Sequence, residues 1–383
     1  MRSLLKINLL TVLLLAFSAP LAAQADDFQT DASQAILIDL NTDTVLFEKN
    51  SDEHMFPSSM TKVLTMYLVF DQLKKNNINM DTIYTVSHKA WKTGGSQMFL
   101  EVGKQVKVSD LVQGVIVQSG NDACVTLAEG ISGSEAAFVT EMNETAKNLG
   151  AVNTHFSNSN GLPTEDHYTT ARDLSLISRR LITDFPEYYH YFSQREYTFN
   201  NITQQNRDKL LNIPDLGVDG IKTGYTELGG YGIISSAVKD GRRLISVVNG
   251  LKSVNARLES AEALLRYGFN NFKDVKLFNK FEIIEKVKVW AGEQDYVPVA
   301  PNKDVALLLS KKDFNQKSYK SEIAYKEPWV APIKKGDQVA TLAVKDGDKI
   351  LAQFPLYATE DVAEASFMKK MMQKINYMVE RKF

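Results

Sequence analysis

Ser59-Met60-Thr61-Lys62 places a hydroxyl and an amine three residues apart, one turn of helix on the same face. Met60, Val63, Leu64, Met66, Leu68, Val69 and Phe70 cover every face of the predicted helix Ser59 to Phe70, so the helix is buried all round and its N-terminus sits inside the protein. Burial disfavours an ammonium, and a neutral lysine within hydrogen-bond reach can take the serine's proton, which leads to acyl transfer from an amide. Ser-x-x-Lys also occurs at Ser3, Ser236 and Ser366, in a leader, a predicted strand and a basic tail, so only Ser59 has the right setting. Sixty residues on, Ser119-Gly120-Asn121 joins two helical stretches and supplies a second hydroxyl and an amide; Ser253-Val254-Asn255 imitates it. Lys222-Thr223-Gly224 sits before a hairpin and offers a cation, a hydroxyl for a carboxylate and a close backbone approach; Lys92-Thr93-Gly94 imitates that. Only Ser59, Ser119 and Lys222 give the three elements in order.

These groups need a scaffold. Residues 34–40 and 44–48 flank Asn41-Thr42-Asp43 as a hairpin, and residues 109–130 form a helical region opened by Ser109 and closed by Gly130. Thr170-Ala171-Arg172-Asp173 reads as a capping box ahead of Leu174. Tyr231 to Val238, an Asp240-Gly241 turn and Arg243 to Asn249 make a second hairpin, followed by a helix from Ala256 to Tyr267. Strands from both ends are expected to share one antiparallel sheet. After Phe272 the chain becomes short and β-rich, without helical periodicity until about Asp361. The expected fold is α/β, an antiparallel sheet mixed with helices (26–272), then a small all-β domain (273–360) and a C-terminal helix (361–383).

Composition excludes several classes. Lys and Arg number 44 against 46 Asp and Glu, so no broad basic face for nucleic acid is implied. The single cysteine, Cys124, cannot close an intramolecular disulfide and reads as a small core residue; five scattered histidines offer no metal-ligand spacing. His155 and His167 read as loop residues, no Gly-x-Ser-x-Gly is present, and neither metal nor cofactor is expected. Arg2 and Lys6, the apolar run Leu9 to Phe17 and Ala23-Gln24-Ala25 read as a signal peptide over residues 1–25. Its removal leaves a mature chain of net charge −4, expected outside the cytoplasm.

The ordered trio resembles the active-site signature of penicillin-binding proteins and serine β-lactamases, and the fold implied is theirs. Phe56-Pro57-Ser58-Ser59-Met60-Thr61-Lys62, Gln118-Ser119-Gly120-Asn121-Asp122-Ala123, Asn160-Gly161-Leu162, Gly217 to Gly224 and Arg243-Leu244-Ile245-Ser246 narrow the likeness. They resemble the low-molecular-mass penicillin-binding proteins, the D-alanyl-D-alanine carboxypeptidases, from about residue 30 to the C-terminus. The resemblance implies an acylated Ser59, Lys62 as its base, Ser119 and Lys222 as a proton relay, and Asn121 on the substrate amide. It implies an oxyanion hole from the N–H groups of Ser59 and Tyr225, with Thr223, Gly224, Arg207 and, as a helper, Arg257 around the substrate's carboxylate end. The partners implied are the peptidoglycan stem peptide and β-lactams. Asn160 and Tyr225 stand where some relatives have histidine. A class A β-lactamase would carry Glu-x-x-Leu-Asn; Glu144 to Asn148 lacks the leucine. A DD-endopeptidase or weak β-lactamase on the same site, or a silent peptidoglycan-binding protein, are the alternatives.

Over Ala365 to Phe383, Phe367, Met368, Met371, Met372, Ile375, Met378 and Val379 share a broad apolar arc, with Lys369, Lys370, Lys374 and Arg381 outside it and Lys382 breaking the pattern. Five basic residues against Glu380 fit a helix lying on an anionic membrane surface, and the resemblance to carboxypeptidases with such anchors points to the periplasmic face of the inner membrane. The opposing possibility is a helix docked on the protein itself.

Overall fold

A computed structural model describes residues 28–316, 319–325 and 329–380, without the side chains of residues 313, 315–316 and 374–380. The signal-peptide reading of residues 1–25 and the side chains of Lys374, Ile375, Met378, Val379, Arg381 and Lys382 therefore lie outside the described residues.

The hairpin forms as read: β1 (Gln34–Asp39) pairs antiparallel with β2 (Thr44–Lys49), and the Asp39 carboxylate accepts from the turn's Thr42 N–H at 2.9 Å. The helices that follow are α1 (Lys62–Lys74), α2 (Val108–Ile116), α3 (Asn121–Ser132), α4 (Glu135–Asn148) and α5 (Ala171–Asp184). Three strands, β3 (Val218–Thr226), β4 (Gly230–Lys239) and β5 (Arg242–Leu251), lead into α6 (Val254–Asn271). The sheet runs β2-β1-β5-β4-β3, so the first hairpin and the late strands do join, through β1 on β5.

Period-two alternation divides the core. Ile36 and Ile38 of β1, with Ile245 and Val247 of β5, pack toward the helices; Ala35, Leu37, Leu244 and Val248 pack toward α6. α1 is buried all round, with 10 of its 13 residues inside, which is why its sequence shows no polar stripe.

Several boundaries differ from the sequence reading. The region read over 109–130 is two helices, starting at Val108 without a side-chain cap and ending at Ser132, where Gly133 turns left-handed (φ 77°). The interruption at 117–120 holds Ser119. Thr170 caps α5 by accepting from Asp173 N–H at 3.0 Å, yet the box is not reciprocal: Asp173 accepts instead from Asn153 N–H and Thr154 Oγ1.

No linker separates α6 from the β-rich unit, because β6 (Phe272–Phe278) begins at the next residue. Buried Arg242 clamps this junction, donating from Nε to Asp39 Oδ2 at 2.5 Å and from Nη1 to the carbonyls of Gly268 and Phe272. The unit continues through β7 (Glu285–Trp290), β8 (Tyr296–Ala300), β9 (Val305–Ser310), β10 (Tyr319–Ala324), β11 (Trp329–Val330), β12 (Gln338–Asp346) and β13 (Lys349–Ala358). Its sheet runs β10-β12-β13-β8-β7-β11, with β6 on β9 as a separate pair. A short helix, Lys311–Gln316, corrects the expectation that no helix occurs before Asp361.

The terminal helix α7 (Phe367–Glu380) starts later than read, since residues 361–366 pack with the β unit: Val362 is in its core and bridges to Ile333. α7 meets the β7–β8 turn with its polar side. Gln373 accepts from Ala291 N–H at 3.0 Å and donates to Asp295 Oδ1 at 2.9 Å, while Lys369 donates to the Glu293 carbonyl. Phe367, Met368, Met371 and Met372 point away, exposed at 77%, 75%, 52% and 64%.

Candidate active site

The position of Ser59 follows from a strained turn. Ser58 has φ 49° and leads the 3-10 turn Ser58–Thr61 into α1, so Ser59 sits one tight turn ahead of the helix. Two glycines let neighbouring backbone reach that turn. A Cβ on Gly161 (φ 87°) would lie 1.8 Å from the Ser58 carbonyl oxygen, and one on Gly224 of β3 would crowd the Pro57 carbonyl, Met60 and Ser58.

Lys62 is fully buried, and its Nζ donates to Ser59 Oγ at 2.9 Å, Asn121 Oδ1 at 2.7 Å and the Asn160 carbonyl at 2.5 Å. Two of these partners can only accept. Asn121 is oriented by its other end, since Nδ2 donates to the Gly94 carbonyl at 2.7 Å. A neutral amine would spend its two N–H groups on Asn121 and Asn160, leaving its lone pair for the Ser59 hydroxyl. Burial, with the Arg207 charge adding to it, lowers the Lys62 pKa to about 8. Lys222 is pushed well below the lysine range, by burial first and then by the Lys62 charge; its Nζ donates weakly to the Thr223 carbonyl at 3.4 Å.

Ser119 occupies the gap between α2 and α3 in left-handed backbone (φ 60°), a conformation that costs a non-glycine residue about 1–2 kcal/mol. Asn121, the first residue of α3, takes its backbone N–H to the Ser96 carbonyl at 2.7 Å. Buried Asp122 accepts from Met98 N–H at 2.9 Å and Leu100 N–H at 3.0 Å, tying segment 94–100 to the start of α3.

A cleft of about 700 Å³ opens above this centre. Ser59, Ser119, Asn121, Arg207, Thr223, Gly224, Tyr225 and Arg257 all line it, whereas Lys62 and Lys222 lie behind the wall. The cleft runs along β3, an edge strand of the five-stranded sheet, where an extended peptide can add as a strand. The Tyr225 and Tyr231 rings stack at 4.2 Å, and the Arg257 guanidinium lies 5.8 Å from the Tyr231 ring centre.

Sequence reading missed several of these contributors. The discounted triplet Lys92-Thr93-Gly94 borders the site, since the Gly94 carbonyl orients Asn121 and Gly95 and Ser96 line the cleft. The discounted Ser253 is the N-cap of α6. His167 is in a loop, as read, but buried: Ser157 N–H donates to Nδ1, so Nε2 carries the proton given to Thr61 Oγ1 at 2.8 Å, beneath α1. Burial lowers its pKa to about 4 and keeps it neutral. Buried Asp208 accepts from Leu210 N–H at 3.0 Å, and burial raises its carboxyl to about 7 despite Arg257 and Lys222 nearby. Cys124 is a buried core residue whose thiol burial pushes up to about 12. Glu144 lies exposed on α4, away from the cleft. Among the described residues no cluster could hold a metal ion, and no helix is long and apolar enough to cross a membrane.

The D-alanyl-D-alanine carboxypeptidase family profile matches residues 20–253, and that of the penicillin-binding protein 5 C-terminal domain matches residues 272–364. The chain is 38% identical to the D-alanyl-D-alanine carboxypeptidase DacC of Escherichia coli, over 93% of this chain and 90% of that one. It is 36% identical to DacF of Bacillus subtilis, over 96% of each. Penicillin-binding protein 5 from Haemophilus influenzae superposes with a TM-score of 0.85 at 34% identity, covering 89% of this chain and all of that structure.

Proposed function

Because the chain belongs to the D-alanyl-D-alanine carboxypeptidases, serine hydrolases that act on peptidoglycan and bind penicillin, we propose that Ser59 is the residue acylated in both reactions. The observation that carries this reading is the 2.9 Å contact between Ser59 Oγ and a lysine that burial brings near neutrality.

The stem peptide lies along β3, its terminal carboxylate at Thr223 and Arg207 with Arg257 behind, and its scissile carbonyl at Ser59. Lys62 takes the Ser59 proton as Oγ bonds to the carbonyl carbon of the penultimate D-alanine. The backbone N–H groups of Ser59 and Tyr225 stabilise the oxyanion, and Asn121 holds the substrate amide. The C–N bond then breaks, the departing D-alanine nitrogen receives a proton through Ser119 and Lys222, and water releases the shortened stem. In penicillin the broken amide is part of the ring, so the leaving nitrogen stays attached to the adduct.

Residues 1–25 act as an export signal, residues 26–271 as the peptidase, 272–366 as the β-rich unit and α7 as an anchor on anionic lipid at the periplasmic face of the inner membrane. The helix uses its polar side against the protein and turns Phe367, Met368, Met371 and Met372 outward, which supports a lipid surface over self-docking. Digestion and mass spectrometry of the penicillin-treated chain are expected to place the adduct on the Ser59 peptide, and Ser59→Ala is expected to abolish both labelling and D-alanine release. An adduct on another serine sinks the assignment.

A further inference from the structure

We propose that the β7–β8 hairpin tip is a second lipid-contacting element, which together with α7 makes one membrane-facing surface. The proposal rests on the reading of α7 as an anchor and extends it to the folded β unit.

The turn Ala291–Asp295 carries the helix: Ala365 N–H donates to the Ala291 carbonyl at 2.7 Å, Ser366 N–H to Glu293 Oε1 at 3.0 Å, and Gln373 bridges Ala291 and Asp295. The residues immediately flanking that turn are Trp290 and Tyr296, both exposed. Along β7, Val287 and Val289 point into the core while Lys286, Lys288 and Trp290 face outward. Register places Tyr296 opposite Lys288 and exposed Val330 opposite Trp290, so aromatic, aliphatic and basic side chains share one outer face.

Tryptophan and tyrosine at the headgroup level, with exposed Lys286 beside them, are what a membrane interface accepts, while the acidic Glu293 and Asp295 of the turn are taken up by the Ser366 N–H and the Gln373 amide. A helix alone at the end of an extended segment would let the enzyme swing. A helix bonded to a hairpin that also touches lipid fixes the orientation of the β unit on the bilayer.

The test uses the full chain and vesicles of phosphatidylethanolamine and phosphatidylglycerol. Trp290→Ser/Tyr296→Ser is expected to weaken vesicle binding about ten-fold with penicillin labelling unchanged, the loss expected for keeping an aromatic contact out of lipid. Brominated phosphatidylglycerol is expected to quench the parent's tryptophan emission more than that of Trp290→Phe, which perturbs the fold least. Equal binding by the double variant, or equal quenching of parent and Trp290→Phe, overturns the inference. A chain lacking residues 367–383 separates the two readings. If its binding falls while the hairpin variants bind like the parent, the anchor stands and the hairpin proposal fails. If it binds like the full chain, the helix is not the anchor, and Trp290-dependent quenching alone then supports or overturns the hairpin contact.

Discussion

At the cleft, two lysines are buried; at the opposite end of the chain, a phenylalanine and three methionines are exposed. Each region inverts the usual partition of charge and apolar surface, in opposite directions. Lys62 and Lys222 lose hydration, and what they gain is a pKa displaced toward the working pH. Phe367, Met368, Met371 and Met372 gain nothing in water, and the proposed contact with lipid would supply the apolar phase they lack. On the proposed reading the two inversions serve opposite ends: burial suits a lysine that is to accept a proton, and exposure suits a helix that is to meet lipid. Changes that restore the ordinary partition at either end should remove one property and leave the other.

The largest effect is expected at Lys62. A guanidinium stays protonated, so Lys62→Arg should lower penicillin acylation by about a thousand-fold or more, measured as the rate of covalent labelling. The sign of the pH dependence follows from the depressed pKa. Below about 8 the amine is protonated and cannot take the Ser59 proton; as pH rises through about 8 acylation should climb, then level off. A labelling rate flat across that range would mean that Lys62 is not the base.

At the other end, removing residues 367–383 should weaken binding to anionic vesicles on the order of a hundred-fold while labelling by penicillin stays unchanged. The cut belongs after Ser366, because Val362 is part of the β core and a deletion from residue 362 would damage the unit as well as remove α7. A truncated chain that still sediments with vesicles would break the contrast between the two ends.

Arg207 tests the cleft on its exposed side. Arg207→Ala should reduce kcat/KM for a D-Ala-D-Ala peptide by about ten- to a hundred-fold, the range for losing a hydrogen bond to a charged group, and penicillin acylation by less. Equal losses would remove its role as the peptide's carboxylate contact.

The chemistry was legible where it is local. Ser59 and Lys62 stand one helical turn apart, and Asn121 follows Ser119 by two residues, so spacing, with the buried setting of the helix and the order of the elements, singled them out from their imitators. The Gly94 carbonyl and the Ser96 carbonyl were not legible, because they act through backbone atoms on a residue 25 or more positions away, and backbone acceptors carry no residue-type signature. His167 was read correctly as a loop residue, but its burial under Thr61 depends on long-range packing. The hairpins and α6 were visible from alternation and turn residues, although α6 extends from Val254 to Asn271 because its ends are set by the Ser253 cap and the Phe272 junction. The apolar arc of α7 was also plain, whereas its outward orientation was not, since it rests on Gln373 and Lys369 meeting the Ala291–Asp295 turn.

The smallest effect is expected at Glu144, the ordinary case between the two inversions: a charge that is exposed. A carboxylate that activates the deacylating water must come within hydrogen-bond reach, roughly 3 Å, of a water at the acyl carbonyl. Glu144 instead sits exposed on α4, outside the lining of the cleft, and Glu144 to Asn148 lacks the leucine of the class A β-lactamase element. Glu144→Gln should therefore leave the lifetime of the penicillin adduct within about two-fold of the parent, as a surface substitution remote from the chemistry does. The measurement is the decay of fluorescent adduct after excess antibiotic is removed. An adduct that persisted several-fold longer would place the deacylating water under the control of α4, and exposure would no longer distinguish idle charges in this molecule from working ones.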